Sequence, residues 1–283
     1  MQHGFKSHLH NPRFQEREVS QFASGKIEDV KKLTLLEVTF WRALVLVAVF
    51  GLWQLVSGRL IDEFWISNPY DIFTRLWQLA TSGMLWIHSW ATLWQALLGL
   101  MLALPIGIAL GIFLVAFPRT AVAVDPYLMG LYSLPRIALA PLFVIWFGIG
   151  LMSKVMLVFS LVVFVFVLNT RQGLLEVDRD LISLMKTMRA TRRYIFRRVQ
   201  MPSILPWLIA AFRINVGLAL IGSVIGELLG SNRGLGWYIE HSGGRLDTTG
   251  VFAGLIALMV LALLINEAVS AVERKVLRFQ KRV

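Results

Sequence analysis

The sequence of 283 residues contains no cysteine, and charged residues make up only 16% of it. The lack of cysteine excludes a disulfide framework, a thiol nucleophile and a cysteine metal site. Hydrophobic residues reach 57%, whereas a typical soluble domain has about 45–50% apolar and about 25% charged residues. The shortage of charge and the excess of apolar residues together indicate a protein of the lipid bilayer.

Acidic residues are also scarce, with 17 Asp and Glu against 28 Lys and Arg and a formal net charge of +11. A basic chain can bind nucleic acid, but this sequence has no nucleic-acid-binding motif, and its basic residues cluster beside apolar segments. Such clusters are typical of the cytoplasmic loops of membrane proteins. The charge therefore predicts membrane orientation and contact with membrane lipids, and no nucleic-acid partner.

Long apolar segments recur along the chain, and about 20 mostly apolar residues are enough for a helix to cross the hydrocarbon core. An all-α integral membrane protein with about six spans is predicted. The spans are 38–57, 90–117, 126–150, 151–168, 204–229 and 250–272. Pro135 and Pro141 interrupt the third span and are expected to leave only 137–147 regularly helical. The start of the chain has no signal-peptide pattern, so the first span is expected to remain as an anchor.

Lys and Arg are distributed unevenly between the segments that join the spans. They are abundant in the tail 1–37, the loop 171–203 and the C-terminal segment 273–283, and sparse in the connections on the other side. Six spans place the three basic segments on one side, which the positive-inside rule predicts to be cytoplasmic. Both termini are therefore expected in the cytoplasm, with a first span at 38–57 and a transmembrane core at 88–272.

The loop 171–203 has the pattern of two short amphipathic helices. The first carries apolar residues at the i, i+3, i+4, i+7 spacing of one helical face: Leu181, Leu184, Met185 and Met188. A second, smaller apolar face follows: Ile195, Phe196 and Val199. Pro202 and Pro206 are expected to end the second helix and to start the fifth span. Anionic lipid headgroups would explain the arginines of this loop but not its apolar face, so docking into a groove of another protein is predicted.

Three stretches resemble the integral-membrane permeases of ATP-binding-cassette importers, of the nitrate, sulfonate and taurine type. The family's cytoplasmic loop, E-A-A-three residues-G-nine residues-I-x-L-P, ends in VQMP at 199–202, and the similarity continues through SILPWLIAAFRINVGLALIGSVIGELL. The other two stretches are SLPRIALAPLFVIWFGIGLMSK at 133–154 and RGLGWYI at 233–239. The family's glycine falls on Arg189, which changes the turn between the two helices because Arg adopts a positive φ only with difficulty.

The resemblance implies a type I importer permease fold in the bacterial inner membrane. It implies as partners two ATPase subunits, a second permease copy in a homodimer, and a periplasmic or lipid-anchored solute-binding protein. ATP and Mg are then used by the ATPase, and the chain itself is expected to have no catalytic residue, cofactor or metal, since it lacks a P-loop. The residues expected to contact the ATPase are Ser183, Leu184, Met185, Met188, Arg189, Ile195, Phe196, Val199 and Pro202.

Polar residues at membrane depth are costly and are candidates for function. Arg136 follows Pro135 in the broken span, where a guanidinium could offer a forked pair of donors to an anion. Ser133, Arg213 and Glu227 complete the predicted substrate pathway. The alternative for Arg213 is snorkelling or an internal ion pair near the cytoplasmic interface. The alternative for Glu227 is an interfacial hydrogen bond to the loop 230–238.

The family resemblance implies a small organic or inorganic anion as the solute, such as a sulfonate, taurine or nitrate. One alternative is the same architecture importing an aromatic carboxylate or a vitamin precursor. The other is a membrane scaffold that transports nothing and uses its basic loop to bind lipid.

Overall fold

The computed structural model describes residues 35–280, where every regular element is helical. Most of the predicted tail 1–37 and the last three residues of the predicted C-terminal segment lie outside this range. The described residues fall into two compact units that divide after Ile61. The first unit contains helix α1, Leu35–Val56, whose large apolar side chains are mostly exposed. A helix that is apolar all round is typical of a membrane span, so the first predicted span is confirmed as a helix able to cross a membrane.

The second unit combines short helices with helices that, alone or as a bent pair, have the length of a membrane span. The short ones are α2 Glu63–Ile66, α3 Pro69–Thr81, α8 Arg179–Thr187 and α10 Leu235–Gly244. The others are α4 Met84–Ala116, α5 Pro118–Ser133, α6 Ala140–Phe147, α7 Leu151–Leu175, α9 Arg192–Leu229 and α11 Thr248–Gln280. In the described part of the chain, five helices are long and apolar enough to cross a membrane, and the bent pair α5–α6 makes a sixth. The prediction of about six spans in an all-α protein is confirmed.

The third predicted span is broken, and its second half is helical close to the predicted 137–147, as a 3₁₀ turn at Arg136–Leu139 followed by α6. The expectation that only this part is helical is wrong, because α5 covers 126–133 as well. Helix α5 already begins at Pro118 and continues through Pro126, and the chain then bends by 82° before the second half of the span. Pro118 is suited to the first turn of a helix, where its missing N–H costs nothing. The residue before Pro135 is extended, as a following proline requires, and this is where α5 ends.

The second helix of the loop was expected to end before the fifth span begins, but the structure shows no such end. Helix α9 runs without a break from Arg192 to Leu229, through both Pro202 and Pro206. Proline removes a backbone donor and its ring presses on the carbonyl four residues earlier. A wider π-helical turn at Phe196–Gln200, directly before Pro202, accommodates this conflict. The second amphipathic helix of the loop and the fifth span are therefore one continuous helix.

The core of the bundle consists of α4, α7 and α9, which approach each other closely through glycines. A Cβ atom added at Gly107 of α4 would lie 2.4 Å from the Cβ of Phe166 in α7, and one added at Gly99 would lie 2.5 Å from the Cβ of Val158. On the other side of α7, Gly222 of α9 leaves the same kind of space. From Gly99 to Gly107 the contacted residue of α7 advances by the same number of positions, from Val158 to Phe166, so α4 and α7 run parallel.

The fourth predicted span also ends too early, because α7 continues to Leu175 instead of ending at 168. Thr170, Gly173 and Leu174 are buried in this last part of α7. Arg171 pairs with Asp125 of α5, which ties the ends of the two helices together. The loop that follows is consequently shorter than predicted, and it begins with α8.

Candidate functional site

Helix α8 is a short helix fixed at both ends by local hydrogen bonds. At its start, the Asp178 carboxylate accepts from the backbone N–H groups of Asp180 at 2.8 Å and Leu181 at 3.4 Å. After its end, the Thr191 hydroxyl accepts from the N–H of Tyr194 at 3.3 Å and caps the start of α9. Both caps satisfy donors that a helix N-terminus otherwise leaves unpaired. The loop therefore holds two capped helices joined by a tight turn.

The turn between α8 and α9 places Arg189 in the left-handed conformation, with φ at 57°. The N–H of Arg189 donates to the carbonyl of Lys186 at 2.9 Å, and the N–H of Ala190 donates to that of Met185 at 3.0 Å. This pair of bonds is the Schellman motif, which commonly has glycine at the left-handed position. The chain thus keeps the turn that glycine would favour, although a side chain is present there.

Replacing Arg189 with Gly is expected to stabilise the protein by about 0.5–1 kcal/mol. The left-handed conformation costs an ordinary residue roughly 1–2 kcal/mol, and the greater freedom of unfolded glycine offsets part of the gain. Thermal unfolding of the purified protein in detergent measures the difference. Lys186→Gly is the matched control, because glycine inside α8 should lower stability by about 1 kcal/mol. A loss with Arg189→Gly as large as with Lys186→Gly would contradict the left-handed turn.

The apolar residues predicted to contact the ATPase divide between two faces of the loop. Met185 is half-buried and packs with Ile195 and Val199, which are buried, in a cluster completed by Val177. Phe196 is also half-buried. Met185, Ile195 and Val199 hold α8 against the start of α9, so these three act within the chain.

The other predicted contact residues are accessible at the surface. Leu181, Leu184 and Met188 are 41%, 56% and 70% exposed and form an apolar stripe along α8. Ser183, Arg189 and Pro202 are exposed beside it. A stripe of apolar side chains on a short, capped helix is suited to contact with a groove of another protein.

Arg136 is buried, and its guanidinium donates to backbone carbonyls of the broken span and of α7. Its Nη1 donates to the carbonyl of Leu161 at 2.9 Å, and its Nη2 donates to that of Tyr132 at 3.2 Å. The guanidinium also lies 4.5 Å from the centre of the Phe164 ring, a cation–π contact. Where α5 ends, carbonyls lose their helical partners, and Arg136 supplies donors to them.

The remaining predicted pathway residues lie apart from each other. Ser133 is exposed, and its hydroxyl donates to the carbonyl of Met129 at 2.8 Å. Arg213 is 61% exposed and lies 3.7 Å from the carboxylate of Glu273, the type of pair that was the alternative for this residue. Glu227 is buried in a different part of the bundle. The structure does not bring these four residues together into one site.

Glu227 is the centre of a buried polar cluster that joins α4, α9 and the start of α10. Its carboxylate accepts from the Thr92 hydroxyl at 2.9 Å and from the backbone N–H of Gly236 at 2.8 Å. The Thr92 hydroxyl in turn accepts from the N–H of Leu235 at 2.8 Å. The predicted hydrogen bond between Glu227 and the following loop is present.

Further polar side chains extend this cluster on both sides. Nδ1 of His88 accepts from the N–H of Gly234 at 3.1 Å, and the Ser223 hydroxyl lies 3.1 Å from Oε1 of Gln95. A Cβ atom at Gly234 would lie 2.1 Å from the Glu227 carboxylate, so this position requires glycine. Three successive N–H groups of the loop, from Gly234 to Gly236, are thus held by side chains of α4 and α9.

The sequence analysis missed the members of this cluster on α4, although the sequence carries a signal for them. His88, Thr92 and Gln95 are polar residues in an otherwise apolar span, and their i, i+4, i+7 spacing places them on one helical face. All three are buried. A polar stripe on an apolar helix indicates a face turned towards protein.

The comparisons with known proteins agree with this architecture. Residues 103–278 match the family described as "Binding-protein-dependent transport system inner membrane component". The formylaminopyrimidine transport permease protein ThiX of Halalkalibacterium halodurans is 36% identical over 82% of this chain and 92% of its own length. The riboflavin transport system permease protein RibX of Chloroflexus aurantiacus is 36% identical over 84% of this chain and 88% of its own.

A third relative and a solved structure point in the same direction. The putative aliphatic sulfonates transport permease protein SsuC of Bacillus subtilis is 31% identical over 82% of this chain and 84% of its own. A chain of the MetNI methionine ABC transporter, in inward-facing conformations, superposes with a TM-score of 0.59 and 25% identity, over 66% of this chain and 93% of that one. The chain therefore belongs to the binding-protein-dependent transport system inner membrane components, the permeases of ABC importers.

Proposed function

We propose that this permease works with two ATPase subunits and a second permease copy in an importer that receives its solute from an external binding protein. The observation that carries the proposal is the exposed stripe of Leu181, Leu184 and Met188 on α8. Both ends of this helix are capped, and its other face packs against α9, so it is preorganised for docking. In this proposal ATP and Mg are bound by the partner, and the permease itself binds no cofactor.

The connection of α8 to the membrane helices supports a role in coupling. On one side α8 follows α7 after a few residues, and on the other it packs onto α9 through the cluster of Met185, Ile195 and Val199. A movement of α8 would therefore be transmitted to two helices of the core, α7 and α9. Alternating access by rocking of packed helices is a common mechanism of membrane transport.

The orientation of the chain is part of the same proposal. The stripe on α8 is bordered by exposed basic residues, among them Lys186, Arg189 and Arg193. Loops rich in Lys and Arg favour the cytoplasmic side, where the ATPase would be found. We therefore place α8 and both termini in the cytoplasm.

The docking face is tested by Leu184→Asp in cells that also express the cognate ATPase and binding protein. A carboxylate in an apolar groove loses its hydration, so we expect solute uptake to fall at least tenfold and the ATPase to be lost when the permease is purified. The amount of permease in the membrane should stay unchanged, because Leu184 is 56% exposed.

Leu246→Asp is the matched control, since Leu246 is 70% exposed in the connection between α10 and α11. The ATPase should copurify with this variant as it does with the parent. Copurification of the ATPase with Leu184→Asp at the parental level would contradict docking through α8.

For the solute, we propose a nitrogen heteroaromatic compound of the vitamin-precursor type. Two relatives that are 36% identical are named for formylaminopyrimidine and riboflavin transport. The anion of the sequence-based prediction is the second candidate, because relatives named for sulfonates and taurine are 31% and 28% identical. The contacts of Arg136 do not support an anionic solute, since its guanidinium donates to backbone carbonyls. Uptake of labelled riboflavin, formylaminopyrimidine, taurine and an alkanesulfonate by the same cells distinguishes the two classes.

A further inference from the structure

A cleft of about 510 Å³ lies where the first turns of α4 and α7 meet the segment 231–233. It is at the opposite end of the bundle from α8, because the 25 residues of α7 extend over about 37 Å at 1.5 Å per residue. The volume is in the range of small-molecule sites, about 300–1,000 Å³. The lining residues that matter for its chemistry are Trp90, Trp94, Gln95, Lys154, Asn232 and Arg233.

The polar part of the cleft is cationic. Lys154 is only 5% exposed, and its Nζ donates to the Ser231 hydroxyl at 2.8 Å. Arg233 is exposed at the rim, and none of the residues that line the cleft is acidic. The nearby Glu227 carboxylate is already bonded to Thr92 and Gly236. An ammonium group has three donors, so Lys154 can also bind an anion in the cleft.

The apolar part of the cleft continues along the side of α4. Trp90 and Trp94 are stacked, with ring centres 5.9 Å apart, and are 60% and 44% exposed. Met101 follows Trp94 two helical turns later and is 70% exposed. Tryptophan is typical of the boundary between headgroups and hydrocarbon. The cleft therefore combines a cationic end with an apolar strip at membrane depth.

The cleft does not continue as a passage between the two helices that form it. Below it, an added Cβ atom at Gly99 of α4 would lie 2.5 Å from the Cβ of Val158 in α7, and Gly107 is equally close to Phe166. Helices that approach this closely leave no room for a solute between them. The occupant must therefore enter from the side or from the aqueous phase and remain at the membrane boundary.

We propose that this cleft binds an anionic phospholipid, whose phosphate contacts Lys154 and Arg233 and whose acyl chain lies along Trp94 and Met101. A single ligand of this kind would contact the buried cation, the rim arginine and the exposed apolar strip at the same time. In the proposed orientation of the chain, this lipid belongs to the outer leaflet. Its binding would fix the segment 231–233, which leads into the loop held by the Glu227 cluster.

The proposal is tested by native mass spectrometry of the full-length protein titrated with phosphatidylglycerol or phosphatidylcholine in detergent. We expect one tightly bound phosphatidylglycerol per chain that phosphatidylcholine does not replace. Arg233→Gln should weaken this binding about fivefold, the effect expected for one basic residue near an anionic headgroup. The side chain of Lys154 is left intact in this test, because its removal would leave Glu227 without a cation.

Arg245→Gln is the matched control, since Arg245 is exposed at the same end of the bundle and does not line the cleft. It should bind phosphatidylglycerol as the parent does. Equal binding of phosphatidylcholine, or unchanged binding by Arg233→Gln, would overturn the proposal. Glycerol 3-phosphate binding as tightly as the lipid would show a small-anion site instead. An Arg233→Gln variant that alters only the oligomeric state would show that a second permease copy covers the cleft.

Discussion

Glu227→Leu is expected to lower the stability of the folded permease by about 2–4 kcal/mol, because a buried polar group that loses its hydrogen-bond partner costs about 1–3 kcal/mol. The substitution leaves the N–H of Gly236 without its acceptor and leaves the Thr92 hydroxyl with only the carbonyl of His88 to accept its bond. It also removes the carboxylate that lies near the buried Lys154. Because most domains are stable by only about 5–15 kcal/mol, little folded protein should accumulate. Size-exclusion chromatography of the solubilised membrane and thermal unfolding of the recovered protein measure the loss.

A double substitution separates the charge from the other contacts. Lys154→Met in the Glu227→Leu background removes the buried cation as well, and we expect it to recover part of the lost stability, since a buried charge with no opposite charge nearby is costly. Glu227→Gln keeps an acceptor for Gly236 and should be less harmful than Glu227→Leu. If Glu227→Leu unfolds at the parental temperature, the cluster does not hold the loop between α9 and α10.

Gly107→Leu is expected to have the second large effect, a loss of correctly folded protein. Even its Cβ atom would lie 2.4 Å from the Cβ of Phe166 and 2.9 Å from the carbonyl oxygen of Val163. Because a backbone atom is involved, a rotamer change cannot relieve the clash, and α4 must move away from α7. Overpacking typically costs about 1–3 kcal/mol, and this contact should exceed that range. Yield and thermal unfolding in detergent measure the effect.

Gly217→Ala is the control for the second prediction, because a Cβ atom added there meets nothing within 4 Å. Alanine favours helix over glycine by about 1 kcal/mol, so this variant of α9 should be as stable as the parent or more stable. A Gly107→Leu protein with parental yield and unfolding temperature would show that α4 and α7 do not pack through this glycine.

The spans could be predicted because they depend on local composition. Each of the six segments has about the length needed to cross the bilayer, and Pro135 marks the break of the third because a residue before proline avoids the helical conformation. The helix ends were less predictable. Pro202 and Pro206 normally indicate a stop, but the helix continues through both. The π-helical turn at Phe196–Gln200 accommodates Pro202, and the sequence carries no simple pattern for such a turn.

The candidate site could be predicted only where one helix determines it. The periodicity of α8 identifies Leu184 and Met185 as apolar positions, but it does not show that Met185 turns inward and Leu184 outward, because that depends on where α9 lies. The Glu227 cluster is still harder to predict. Its bond to Thr92 joins residues 135 positions apart, and no local pattern links such positions.

The unbroken course of α9 has a mechanical consequence. Its 38 residues form a lever about 57 Å long at 1.5 Å per residue, with α8 packed near one end and Glu227 near the other. A tilt of about 5° around the middle would displace each end by roughly 2.5 Å over that length. This distance is large compared with the tolerance of a hydrogen bond. A displacement at one membrane face would thus be passed along this one continuous helix to the opposite face, where it would strain the contacts of one carboxylate.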